Sequence, residues 1–146
     1  MFTGFQVTFD AGDPPALARF WAEALGYIEQ PPPPGHDTWE DFATAIGIPE
    51  EDWGNIAAIV DPSGAGPRLL FQMVPESKTA KNRVHLDVNA GGGHATPSDE
   101  RKTNITAKVA ELEAAGATKG ATFDMPDRGD YWVVMQDPEG NEFCVQ

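Results

Sequence analysis

One short turn occurs twice in this chain. Val60-Asp61-Pro62-Ser63-Gly64 and Gln136-Asp137-Pro138-Glu139-Gly140 stand 76 residues apart, from Asp61 to Asp137, each ahead of a closing apolar run. A helix-ending Ala24-Leu25-Gly26-Tyr27 is echoed by Ala114-Ala115-Gly116-Ala117. Such self-similarity marks a duplicated supersecondary unit, its spacing varied by the acidic insert in one copy and the Gly-rich loop in the other. The 146 residues therefore read as two copies of one motif, with Gln6 aligned on His85, 79 positions apart.

Periodicity fills in each copy. Phe5, Val7 and Phe9 alternate with Gln6, Thr8 and Asp10, which predicts a strand over 2–10. Asp13-Pro14-Pro15 supplies a cap and an N1 proline for a helix. Leu17, Phe20, Trp21, Ala24 and Leu25 give that helix one apolar face, and Gly26 ends it. A short helix is expected from Thr38, with Asp41 completing a capping pair, and a turn at Pro49–Trp53. Strands are expected at 56–60 and 69–74, then at 83–88, 118–123, 131–136 and 142–145. Thr96-Pro97-Ser98-Asp99 is expected to cap a second helix that ends at Gly116. The order is βαβββ twice, an α+β fold.

Composition removes several functions. Ten Lys+Arg against 23 Asp+Glu give a net charge of −13, which argues against nucleic-acid and anionic-membrane partners. A single cysteine excludes a disulfide framework. No run approaches the ~20 apolar residues of a membrane span. The first residues lack a basic and then apolar leader, so a cytoplasmic protein is expected. The acidity is uneven: residues 31–54 hold six acids, no base, four consecutive prolines and both Trp39 and Trp53.

The chain resembles the vicinal oxygen chelate superfamily, the glyoxalase/bleomycin resistance protein/dioxygenase group, and within it the glyoxalase-like domain. The resemblance rests on Ala18-Arg19-Phe20-Trp21-Ala22-Glu23-Ala24-Leu25-Gly26-Tyr27 and Pro67-Arg68-Leu69-Leu70-Phe71-Gln72. It continues through Lys81-Asn82-Arg83-Val84-His85-Leu86-Asp87-Val88 and Asp137-Pro138-Glu139-Gly140-Asn141-Glu142-Phe143. It covers nearly the whole chain except about 31–54. It implies a single domain, 1–146, of two βαβββ modules, about 1–77 and 78–146, whose mixed sheet forms a cup. It also implies a homodimer.

In metal-dependent members each module supplies one ligand from its first strand and one from its last. The corresponding positions here are Gln6, Gln72, His85 and Cys144. Family members usually carry glutamates on the last strands, so this set lacks the carboxylates that suit hard divalent cations. No catalytic metal is expected, with a divalent ion as the alternative. The base used by glyoxalase I is missing from its inherited position, and that activity is not expected. His85 and Asp87 remain the acid/base candidates. Gln6, Thr8, Gln72, Arg83, His85 and Cys144 are expected to face a small-molecule ligand, with Trp39 and Trp53 either packing the acidic insert or capping the ligand. The sequence thus points to binding or sequestration of a small, flat, basic molecule. The rival reading is a metal-dependent lyase, isomerase or dioxygenase.

Overall fold

The computed structural model describes all residues, 1–146. The chain divides into two compact units, Met1–Ser77 and Lys78–Gln146.

In the first unit, β1 (Val7–Ala11) leads into α1 (Pro14–Leu25). The Asp13 carboxylate accepts from the Ala16 N–H at 3.0 Å, so one orphan first-turn donor is satisfied as the sequence predicts. Gly26 closes the helix with φ 69°, a left-handed conformation that favours glycine. Then follow β2 (Ile28–Glu29), α2 (Trp39–Ala45), a 3-10 helix (Glu50–Asn55), β3 (Ile56–Val60) and β4 (Leu69–Met73). The sheet order is β1-β4-β3-β2, with β1 and β4 parallel and the other pairs antiparallel. Leu17, Phe20, Trp21 and Ala24 are buried. Phe9 stacks on Phe71 at 5.0 Å and meets Trp21 at 5.2 Å. Helix and sheet thus share one apolar seam.

The second unit repeats the plan. It comprises β5 (Asp87–Val88), α3 (Ser98–Ala114), β6 (Thr118–Met125), β7 (Asp130–Gln136) and β8 (Glu142–Val145). The order β5-β8-β7-β6 is that of the first sheet. Ile105, Val109 and Leu112 of α3 are buried, as are Val133, Met135, Phe143 and Val145. The alternate residues of these strands must therefore lie on the face turned away from α3. The β6–β7 register shifts between Lys119 and Thr122. Gly120 sits in that irregularity, where a Cβ would stand 3.0 Å from the Val134 carbonyl oxygen.

Several expectations are corrected. Pairing of the first strand begins at Val7; Phe2 and Phe5 are exposed and touch each other edge to face at 6.5 Å. Only Asp87–Val88 of the expected 83–88 strand is paired, and Val84 is 81% exposed. Thr96 does not cap α3: its hydroxyl donates back to the Gly92 carbonyl at 2.9 Å, and Pro97 takes the N-cap position. Residues 50–55 are a 3-10 helix rather than a simple turn. Two-residue β2 carries too little periodicity to be read from sequence.

The duplicated turn has one physical basis. Asp61 accepts from the backbone N–H groups of Ser63 (2.8 Å), Ala65 (3.1 Å) and Gly66 (2.7 Å). These donors, Ser63 foremost, hold its carboxyl below the usual range. Asp137 does the same for Glu139 (2.9 Å) and Asn141 (3.0 Å), and is only 3% exposed. Asp137→Ala strands those donors and is expected to lower stability by about 2 kcal/mol. Asp137→Asn keeps an acceptor and should cost less. Chemical denaturation of both variants checks the order.

Candidate functional site

The first and last strands of each unit run parallel, and their register decides which side chains meet. In the second unit Asp87 lies opposite Cys144; in the first, Asp10 lies opposite Gln72. The equivalence is confirmed one residue on. The Val74 N–H donates to the Ala11 carbonyl, and the Gln146 N–H to the Val88 carbonyl. Asp10 therefore corresponds to Asp87, and Thr8, not Gln6, to His85. This corrects the alignment by one β-period. The Thr8-Phe9-Asp10 and His85-Leu86-Asp87 echo is the sequence signal that identifies it.

His85, Asp87 and Cys144 converge. Their ligand-capable atoms all lie within 4.8 Å of one another. His85 Nδ1 is 3.1 Å from Asp87 Oδ1, with both side chains about two-fifths exposed (41% and 42%). Burial pushes the Cys144 thiol up from its usual range. The neighbouring Asp87 carboxylate adds to this, and Lys81 opposes it. Cys144 is therefore a thiol at neutral pH rather than an activated nucleophile.

The same face carries more than the sequence pattern reveals. Trp132 is paired with Phe123, Val134 with Cys144, and Cys144 with Asp87. The Phe123 and Trp132 rings stack at 4.8 Å and 10°, and Phe123 is 38% exposed. An aromatic stack and the polar trio thus occupy one surface of one sheet. The signal for it lies in the 131–136 strand, where Trp132 has the opposite parity to buried Val133 and Met135.

The remaining candidates are placed elsewhere. In the first unit, Gln72 Nε2 donates to Asp10 Oδ1 at 2.8 Å. Gln6 Nε2 donates to Thr8 Oγ1 at 3.2 Å, and Gln6 Oε1 accepts from Arg68. Gln6 and Gln72 are thus held by different partners. Arg83 is exposed ahead of β5. Both insert tryptophans have their indole N–H groups engaged locally: Trp39 donates to the Gln30 carbonyl at 2.7 Å and Trp53 to that of Ile48 at 3.0 Å. Those bonds hold both tryptophans by their N–H edges.

The donor chemistry tests a metal. Imidazole, carboxylate and thiol side chains within this spacing are compatible with zinc. Hard cations such as Mn(II) prefer more carboxylate oxygens than the one that Asp87 brings to this trio. Glu142, two residues before Cys144, is held by other groups. The Asn82 N–H donates to its Oε2 at 2.9 Å, and Lys78 Nζ lies 3.1 Å from the same atom.

The glyoxalase-like domain profile matches residues 6–146. This chain belongs to the glyoxalase-like domain family. No match was found among curated proteins. Solved structures with a similar fold include a glyoxalase/bleomycin resistance protein/dioxygenase family enzyme from Burkholderia phytofirmans PsJN. It is 17% identical, with 96% of this chain and 94% of that chain covered and a TM-score of 0.61. A glyoxalase-related enzyme from Fulvimarina pelagi is 18% identical, covering 99% and 87%, at TM-score 0.59. A mutant of the fosfomycin resistance protein FosX from Listeria monocytogenes, solved with Mn(II) and 1S,2S-dihydroxypropylphosphonic acid, is 12% identical, covering 100% and 90%, at 0.59. At these identities the likeness concerns the fold. No helix is long and apolar enough to cross a membrane.

The Glu142 clasp has a pH signature. Hydrogen bonds from Asn82 and from its own backbone N–H, with Lys78 beside it, hold the carboxyl at about 2, against 4.5 ordinarily. A carboxyl lowered on folding stabilises the protein above its unfolded value and loses that contribution as pH falls toward the folded one. The stability gap between wild type and Glu142→Gln should therefore be full at pH 6, shrink below about 4.5 and close near 2. Denaturation midpoints across that range check this.

Proposed function

We propose that this glyoxalase-like protein binds a small, ring-bearing organic molecule on the face of β5–β8 turned away from α3, without a catalytic metal. The observation carrying this reading is that the stack of Phe123 on Trp132 lies on the same sheet face as the His85–Asp87–Cys144 trio, two residues along β7 from Val134, which pairs with Cys144. Ring surface offers apolar, orientation-dependent contact; His85 and Asp87 offer hydrogen bonds and one negative charge. A few convergent polar groups beside aromatic surface are the usual make-up of a small-molecule site. The metal-free part of the reading is supported by Gln72 and Cys144 at the last-strand positions. The role fits sequestration of a toxic or antibiotic molecule. Acidic composition favours a basic ligand, and the family resemblance supports a cytoplasmic homodimer.

A second reading is favoured by the same trio. Its donor atoms lie close enough to share one ion, and the FosX structure contains Mn(II). On this reading the protein is a metal-dependent lyase, isomerase or dioxygenase, with His85, Asp87 and Cys144 holding an ion that would polarise a substrate oxygen.

Tryptophan fluorescence titrated with flat basic amines is expected to show saturable quenching. Trp132→Phe and His85→Ala should each weaken binding about tenfold or more. Equal affinity in both variants, or saturation only by acidic compounds, overturns the proposed ligand class. Metal analysis of protein purified without chelators separates the two readings. Stoichiometric Zn, Mn, Fe or Ni that is lost in His85→Ala establishes the second.

A further inference from the structure

Arg68 stands out in the first unit. Residues 1–67 contain eleven acids and one base, Arg19, so carboxylates are plentiful. Yet the guanidinium is held by two neutral amides: Nε donates to Gln30 Oε1 and Nη1 to Gln6 Oε1. Neither neutralises it. The one carboxylate in the same row, Asp10, is engaged by the Gln72 amide instead. Cation and anion on this face are thus each partnered by an amide.

The register says where the guanidinium stands. Val7 pairs with Leu69, so Gln6 and Arg68 extend the row of Thr8 and Asp10 against Leu70 and Gln72. This is the face opposite buried Leu69 and Phe71. The Gln30 contact is half-buried and the Gln6 contact exposed. The inner edge of the guanidinium is therefore fixed while the outer edge meets solvent. Gln30 is itself steadied, because its carbonyl accepts the Trp39 indole N–H. Two of the five guanidinium N–H groups are used in orientation, and the rest remain to donate.

We propose that Arg68 is an oxyanion subsite, taking the carboxylate or phosphate group of a small organic ligand. A planar, pre-oriented and still-charged fork is the arrangement that recognises such groups. A purely structural tie between strands would gain from a carboxylate partner, and two glutamines forgo that gain. Every residue of this subsite lies in the first unit.

The test uses the arginine Nε–H signals of the full-length protein in nitrogen–proton NMR. The protein is titrated with inorganic phosphate, with acetate, and with chloride at matched ionic strength. The Arg68 signal is expected to move saturably with phosphate or acetate and not with chloride. Whichever saturates at the lower concentration identifies the source as phosphorylated or carboxylic. Gln6 and Gln30 side-chain amide signals should move with it, and in Arg68→Lys that response should need about tenfold more anion, because the fork is lost. Movement no larger than with chloride, or an unchanged amide response in Arg68→Lys, overturns the proposal. Wild-type titration alone decides if the variant is poorly folded. Quenching at Trp132 that persists in Arg68→Lys shows that the β5–β8 reading stands or falls separately.

Discussion

The parallel pairing of first and last strands is the constraint on which the rest of each unit depends. It is made twice, β1 on β4 and β5 on β8, in the same register. Side chains alternate between faces with a period of two. A slip of one residue would turn Phe71 and Phe143 outward and put Gln72 and Cys144 among apolar side chains. Burying Phe71 and Phe143, which are 0% and 1% exposed, therefore fixes the polar rows on the opposite faces. The core chooses the register, and the register chooses which functional groups are neighbours.

Within this shared register the two units diverge chemically. Equivalent positions hold Thr8 and His85, Asp10 and Asp87, Gln72 and Cys144. Only the aspartate is kept. In the second unit it sits between an imidazole and a thiol, three groups able to exchange protons or hold an ion. In the first it is bridged by an amide beside a hydroxyl, groups that orient without titrating. Duplication supplied two similar surfaces, and side-chain replacement gave them unlike chemistry.

Much of this is legible in the sequence because it depends on short-range rules. The Asp13 cap, the Gly26 stop, the α1 stripe and the outward alternation of His85 with Asp87 follow from local geometry. What the sequence hides depends on partners far along the chain. Gln6 is aligned on His85 when the Thr8-Phe9-Asp10 echo is passed over, and the parallel register moves the match to Thr8. Thr96 has the composition of a cap, but its hydroxyl is claimed by the Gly92 carbonyl. Trp132 lies in a strand apolar on both faces, so its parity becomes informative only once Val133 and Met135 are known to be buried. Arg68 stands in a recognisable motif, yet its exceptional feature is the neutrality of its partners, which lie 38 and 62 positions away.

The bond from Trp39 to the Gln30 carbonyl has a consequence for how such proteins diversify. The Pro-rich acidic segment lies outside the duplicated plan. Through Gln30, however, it is fastened to the residue that steers the Arg68 guanidinium. Drift in that segment is thereby converted into small rotations of one charged group. A change in a peripheral loop can thereby reach a charged group beside the sheet while every strand residue stays as it is.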